Sequence, residues 1–179
     1  MHSAIILAGG KGERLRPYTD KRPKLMVEIN GRPLVEYQLD QRKQHGVGRV
    51  ILTTGYLGEV IQDHFGDGSK HGLAIEYSHE DSPLGRGGAI RQAMEKLLPT
   101  ESIFIVHGDN MHHINFAQLM AQHKGSGAMA TLTLIPFQSP YGIVDTTEDH
   151  KVLGFREKPI LPYWVNAGVY VFEPEIMSR

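Results

Sequence analysis

The chain has 179 residues, 40% of them hydrophobic, a formal net charge of −1 and no cysteine. That is enough apolar material for one well-cored domain, while the near-zero charge argues against a broad nucleic-acid surface, which needs clustered positive charge. Absence of cysteine excludes disulfides and thiolate chemistry and fits a cytoplasmic protein; apolar runs such as Ala4-Ile5-Ile6-Leu7 fall far short of the roughly 18 residues of a membrane span, and the first residues lack the pattern of a secretory signal.

Ser3–Leu7 is short and aliphatic and predicts a strand. It runs into Leu7-Ala8-Gly9-Gly10-Lys11-Gly12-Glu13-Arg14-Leu15-Arg16-Pro17. Three glycines let backbone amides approach a polyphosphate without Cβ clashes, and Lys11 and Arg14 add the charge that backbone dipoles alone do not supply. Six cations fall within the fourteen residues from Lys11 to Lys24, a density suited to a compact polyanion. The loop is not a dinucleotide fingerprint: counting from Gly10 the sixth position is Leu15, and the next strand ends in Thr53-Thr54 with no acid. The Walker A spacing fails as well. A plain strand-to-helix turn would not need Lys11, Arg14 and Arg16 together.

Pro33–His45 predicts a helix with Leu34, Val35, Leu39 and Tyr37 on its apolar face and Gly46 as its stop. Strands are predicted at Arg49–Thr54, Ala74–His79 and Ser102–His107. Helices are predicted at Leu57–Phe65, Gly88–Leu97 and Phe116–His123, closed by Gly66, Pro99 and Gly125. This βαβ alternation predicts an α/β fold with a doubly wound, mostly parallel sheet whose ligand crevice lies at the carboxyl ends of the strands. Asp109 follows the strand ending at His107, where a hard carboxylate suits Mg²⁺ bridging phosphates. His112 and His113 do not suggest zinc, since adjacent side chains diverge and no cysteine joins them. After Gly127 strands follow one another, at Met129–Pro136, Gly142–Thr146, Val152–Glu157 and Trp164–Phe172, punctuated by Pro140 and Pro159–Pro162. The reading is a single domain over 1–179, with a nucleotide-binding βαβ part at 1–127 and a β-rich part at 128–179. Glu173-Pro174-Glu175 resembles a helix start close to Arg179, so a C-terminal truncation is expected.

The run from Leu7 to Tyr37 resembles the signature of the sugar-1-phosphate nucleotidylyltransferase family: the glycine loop, Arg14-Leu15-Arg16-Pro17, Pro23-Lys24 and Gly31-Arg32-Pro33-Leu34, in order. The resemblance continues through Pro83-Leu84-Gly85, His107-Gly108-Asp109, Tyr141-Gly142-Ile143-Val144, Phe155-Arg156-Glu157-Lys158-Pro159 and Asn166-Ala167-Gly168, nearly the whole chain. It implies a Rossmann-like nucleotidyltransferase core with a sugar-binding latter half, and an enzyme that joins a nucleoside triphosphate to a sugar 1-phosphate and releases pyrophosphate. It implies that Arg14 touches the β- and γ-phosphates, that Lys24 binds the α-phosphate and sugar phosphate, and that Asp109 holds Mg²⁺. Leu7, Ala8, Gly9, Gly10, Lys11, Gly12, Glu80, Pro83, Gly85 and Gly108 would surround the nucleotide; Gly142, Glu157, Lys158, Asn166 and Gly168 would line the sugar-phosphate pocket.

Glu80 stands where pyrimidine-specific relatives carry a glutamine. A carboxylate only accepts, and guanine offers two adjacent donors along one edge, which tilts the expectation to GTP. The wording is most similar to mannose- and heptose-1-phosphate guanylyltransferases. UTP or dTTP chemistry remains an alternative, as does a non-catalytic nucleotide-sugar sensor. Three departures from the pattern stand out: Glu13 and Arg86 each replace a common threonine, and the family's second metal aspartate falls beyond Arg179. A monomer or small homo-oligomer is expected.

Overall fold

The computed structural model describes residues 2–97 and 100–178; Pro99, expected above to close a helix, lies outside the described residues. Among the described residues ten strands and four α-helices follow in chain order: β1 (His2–Leu7), β2 (Glu28–Ile29), β3 (Arg32–Pro33), α1 (Leu34–Gln44), β4 (Val47–Thr54), α2 (Gly58–Phe65), β5 (Ala74–His79), α3 (Gly85–Leu97), β6 (Ile103–His107), α4 (Phe116–Ser126), β7 (Ala130–Gln138), β8 (Ile143–Thr146), β9 (Val152–Arg156) and β10 (Ile160–Phe172). Short 3₁₀ turns sit at Glu13–Leu15 and Lys24–Met26.

The main sheet has the order β5-β4-β1-β6-β10-β7. β1 pairs in parallel with β4 on one side and β6 on the other, and β4 pairs in parallel with β5. The sequence of these strands follows from their position: a parallel strand covered on both faces has no polar side, so it reads as a continuous apolar run. Ala4, Ile5, Ile6, Val50, Ile51, Leu52 and Ile103 to Val106 are all 0% exposed. Alternate residues then serve opposite faces. Ala4, Ile6, Val50, Leu52, Phe104 and Val106 pack with Val35, Leu39, Ile61, Phe65, Phe116 and Leu119 of α1, α2 and α4. Ile5, Ile51, Ile103 and Ile105 pack with Ala93, Met94 and Leu97 of α3. The sheet is therefore doubly wound, as the alternation predicts.

The chain steps from β1 outward through β4 to β5 and then returns to β6 on the far side of β1. That reversal opens a crevice at the carboxyl end of β1. β10 then runs antiparallel to β6 through Val169–Phe172, making the sheet mixed. Sequence reading placed a break at Pro159–Pro162, whereas β10 begins at Ile160 and passes through Pro162; a proline is tolerated in a strand where its missing N–H is not called on. The Asn30-Gly31 turn between β2 and β3, with φ of 52° and 75°, is a tight hairpin that the helix pattern alone did not reveal.

Two compact units are distinguishable, one comprising the described residues up to Thr131 and from Gly168 onward, the other Leu132–Ala167. Within the second, β8 and β9 form an antiparallel ribbon with Ile143 opposite Arg156 and Val144 opposite Phe155, fastened by the Arg156–Asp145 pair at 3.0 Å.

Phe104 gives a measure of the core. Its ring is fully buried and meets Phe116 edge-on, with centroids 5.0 Å apart at 78°. Phe104→Ala should cost about 3–5 kcal/mol of folding stability, seen as a lower urea midpoint with an unchanged denaturant slope.

Candidate active site

The carboxyl ends of four strands meet at one cleft of about 800 Å³ within the first unit. β1 delivers Leu7, Ala8, Gly9, Gly10 and Lys11; β4 delivers Thr53, Gly55 and Tyr56; β5 delivers His79, Glu80, Asp81, Ser82 and Pro83; β6 delivers His107, Asp109 and Asn110. Gly85, Arg86 and Ala89 contribute from the first turns of α3, and Lys24 and Leu25 from the 3₁₀ turn.

The glycine loop leaves β1 under tight control. Ala8 N donates to Thr53 O at 3.0 Å, and Thr19 Oγ1 donates to Gly12 O at 2.9 Å. Gly12 has φ +64°, and a Cβ there would lie 3.0 Å from both Lys24 Cβ and Thr19 Cγ2. The left-handed backbone and this close approach together require glycine, and they seat the loop against the residue that carries Lys24. The Glu80 carboxylate lies over the loop's other end: a Cβ on Gly9 would sit 2.7 Å from Glu80 Oε1, while Glu80 Oε2 accepts from Leu84 N at 3.1 Å.

Lys24 and Asp109, 85 positions apart in sequence, meet here with Lys24 Nζ donating to Asp109 Oδ2 at 2.5 Å. Their side chains are 29% and 40% exposed, so ligands can reach both. Burial alone would raise the Asp109 carboxyl, but the hydrogen bond and charge of Lys24 outweigh it and hold the group below its ordinary range. Beside them His107 is lowered by burial and by the Arg86 charge, and Tyr170 Oη lies 3.2 Å from His107 Nε2. Gly168, at φ +76°, presses so closely on this strand end that a Cβ would meet Asn110 Nδ2 at 2.6 Å and His107 Nδ1 at 2.8 Å.

Of the residues that sequence reading singled out, the cleft gathers Leu7, Ala8, Gly9, Gly10, Lys11, Lys24, Glu80, Pro83, Gly85 and Asp109. Gly108 is buried just behind it, its N–H donating to Leu7 O at 3.1 Å. Arg14 lies on the exposed 3₁₀ turn Glu13–Leu15 and is not among the residues that line the cleft. Gly142, Glu157, Lys158 and Asn166 belong to the second unit. There a Cβ on Gly142 would meet the Phe155 ring and, at 3.1 Å, Glu157 Oε2, so Gly142 and Glu157 are neighbours. Lys158 follows with a left-handed φ of 41°, and its carbonyl accepts from Gln138 Nε2 at 3.3 Å.

Tyr56, His79, Asp81 and Ser82 also line the cleft and were missed by sequence reading. Their signal was positional: His79 ends β5 and the others lie in the first residues after β4 or β5, where a doubly wound sheet places its ligand contacts.

A divalent cation fits one residue best. Among the described residues no group of three or more His, Cys, Asp or Glu could hold a metal by itself. Mg²⁺ is often bound by one or two carboxylates with substrate phosphates and water completing the shell; Asp109, a partly exposed carboxylate lining the cleft, suits that mode. His112 is committed elsewhere, its Nε2 3.2 Å from Arg42 Nη2.

The Nucleotidyl transferase family model matches residues 3–179. A mannose-1-phosphate guanylyltransferase of Mycobacterium tuberculosis is 39% identical over 180 residues, which is 98% of this chain and 50% of that protein. A D-glycero-alpha-D-manno-heptose 1-phosphate guanylyltransferase of Aneurinibacillus thermoaerophilus is 38% identical over 98% of this chain and 79% of its own length. A UTP–glucose-1-phosphate uridylyltransferase of Synechocystis is 34% identical over 98% of this chain and 50% of its own length. The chain thus spans about half the length of several curated relatives. Among solved structures, HddC from Yersinia pseudotuberculosis superposes with a TM-score of 0.76 at 26% identity, covering 99% of this chain and 79% of that one.

Proposed function

Because the chain belongs to the Nucleotidyl transferase family, we propose that the protein transfers a nucleoside monophosphate from a nucleoside triphosphate to a sugar 1-phosphate, giving a nucleotide sugar and pyrophosphate. The observation that carries this reading is the Lys24–Asp109 pair on the cleft lined by the glycine loop: one cation for phosphate and one carboxylate for a metal, side by side.

A sugar-phosphate oxygen must reach an α-phosphorus already ringed by negative oxygens. A P–O bond forms there as the bond to the β-phosphate oxygen breaks, and pyrophosphate leaves with the electron pair. No covalent enzyme intermediate is needed, so positioning and charge neutralisation supply the catalysis. The amides from Gly9 to Gly12 cradle the triphosphate with Lys11 beside them, and Arg14, on the exposed turn outside the cleft lining, would swing in to meet the β- and γ-phosphates. Lys24 turns from Asp109 to the α-phosphate and the incoming sugar phosphate. Asp109 would hold Mg²⁺, which would supply charge neutralisation at the phosphates. Gly142, Glu157, Lys158, Asn166 and Gly168 are the proposed sugar-phosphate ligands, Glu157 for hydroxyls and Lys158 for the phosphate.

GTP is the favoured nucleotide, with mannose- or heptose-1-phosphate as acceptor, and a cytoplasmic setting follows from such substrates. Support for guanine comes from Glu80, an acceptor-only side chain over the loop that suits the base's N1–H and 2-amino donors, and from the guanylyltransferase relatives. The test is pyrophosphate release with Mg²⁺, crossing GTP, UTP, dTTP, ATP and CTP with mannose-, glucose-, N-acetylglucosamine- and heptose-1-phosphates, with nucleotide binding measured separately. Release confined to GTP with mannose- or heptose-1-phosphate supports the full assignment. Release with UTP or dTTP keeps the reaction and replaces the base. Nucleotide binding without turnover in any pairing overturns the transferase reading in favour of a sensor.

A further inference from the structure

The segment that carries Asp109 has a buried support whose charge the catalytic scheme does not use. Arg42, on α1, is 0% exposed, yet among the described residues no carboxylate is its partner. Its Nη2 donates to Gln38 Oε1 at 2.5 Å and to His112 Nε2 at 3.2 Å, and its Nη1 donates to Gln41 Oε1 at 2.9 Å. Phe116 lies beneath it, with Cζ 4.4 Å from the ring centroid. The two glutamines are thereby fixed in orientation: with each amide oxygen taken by the guanidinium, each NH₂ must point the other way. Both amides meet the same loop. Gln38 Nε2 donates to Asn110 O and Gln41 Nε2 to His112 O, each at 2.5 Å.

Stability does not account for this arrangement. An arginine taken out of water without a counter-charge is costly, and burial pushes Arg42 down to about 9. Arg42 Nε and His112 Nδ1 also lack hydrogen-bond partners among the described residues. A methionine or leucine would fill the same space at lower cost. What an apolar side chain would not do is orient two amides onto carbonyls at the first and third peptides after Asp109.

We infer that Arg42, acting through Gln38 and Gln41, is a positioning residue that fixes the 109–113 loop and with it the Asp109 carboxylate. The geometric part stands on the hydrogen bonds above; its value for turnover rests on the transferase reading.

The decisive variant is Gln38→Glu. It keeps the shape and the acceptor for Arg42, adding a charge that favours that contact, but replaces the donor to Asn110 O by an acceptor. A role limited to filling space and satisfying Arg42 is preserved in this variant. A positioning role is lost. Backbone ¹⁵N order parameters at Asn110, Met111, His112 and His113 should fall from near 0.85, the rigid range, to below about 0.6, with the urea midpoint unchanged. The kcat for pyrophosphate release should drop about tenfold with little change in nucleotide KM. Arg42→Met should move the loop the same way, and Gln41→Leu, at a partly exposed position, gives the equivalent measurement on the His112 side if either of the others fails to fold.

Order parameters that stay at wild-type values in folded Gln38→Glu or Gln41→Leu overturn the inference. So does a parallel loss of order in β1 and β6, which would mark the cluster as general core. The relaxation measurement needs no turnover, so an inactive wild type would sink the transferase reading while leaving the loop inference to be decided on its own.

Discussion

Replacing Lys24 by methionine is expected to lower kcat for pyrophosphate release by about a thousandfold, the scale for removing a preorganised charge from a transition state. The side chain's length is kept and only the ammonium goes, so Leu25 and Met26, buried on the same turn, hold the backbone in place. A second signature follows from Asp109. Its carboxyl is held below the ordinary range because the Lys24 hydrogen bond and charge outweigh burial. That lowered value contributes stability at pH above the unfolded carboxylate range and loses it as pH falls through the folded value. Without Lys24 the largest lowering contributions are gone and burial is opposed only by the backbone hydrogen bond and His107, so the carboxyl rises and the acid limb of the rate profile should shift to higher pH in Lys24→Met. Lys24→Arg should keep the low acid limb while recovering only part of the rate, because a planar fork does not reproduce a compact ammonium. Steady-state rates across pH for the three proteins decide the matter; an unchanged kcat in Lys24→Met would remove the residue from the mechanism.

Asp109→Ala should cost a similar factor in turnover for a different reason: the metal loses its protein oxygen. Nucleotide binding should behave in the opposite sense. Lys24 Nζ, now 2.5 Å from the carboxylate, would be released to the phosphates, so nucleotide affinity measured without metal should hold or increase while the response of turnover to Mg²⁺ disappears. The double variant Lys24→Met/Asp109→Ala should fall little below either single one, since groups that act as a unit are strongly non-additive. Calorimetric nucleotide titrations with and without Mg²⁺, beside the rates, separate loss of metal from loss of fold. A fully active Asp109→Ala would require the metal to be held elsewhere.

Much of the frame was legible in the residues. β1, β4 and β6 carry short apolar runs because a sheet covered on both faces demands them, and the glycine loop stands at the end of the first. The hairpin at Asn30-Gly31 was lost within a stretch read for its charges. Contacts were harder to foresee than elements. Nothing in local spacing joins Lys24 to Asp109 across 85 positions; only the family resemblance named both. Arg42 left no signal, since an arginine on a helix is ordinarily solvated, and its burial depends on Gln38 and Gln41 turning their acceptors inward. The resumption of the first unit at Gly168, after the chain has passed through the second, was hidden, because no shift in composition marks it. In the second unit Val152, Leu153 and Phe155 are 64–70% exposed, which their apolar character alone would not foretell.

The central place of β1 also governs the order in which the molecule can be assembled. Ala4 is flanked by Val50 on one side and Phe104 on the other, so its second neighbour lies one hundred residues further along the chain. At roughly 5–20 residues per second of synthesis, the nascent protein waits on the order of 5–20 s between emergence of β1 and arrival of β6. Through that interval β1 has at least one unpaired edge, which makes this stretch the natural object of chaperone protection and ties the yield of folded protein to the pace of translation.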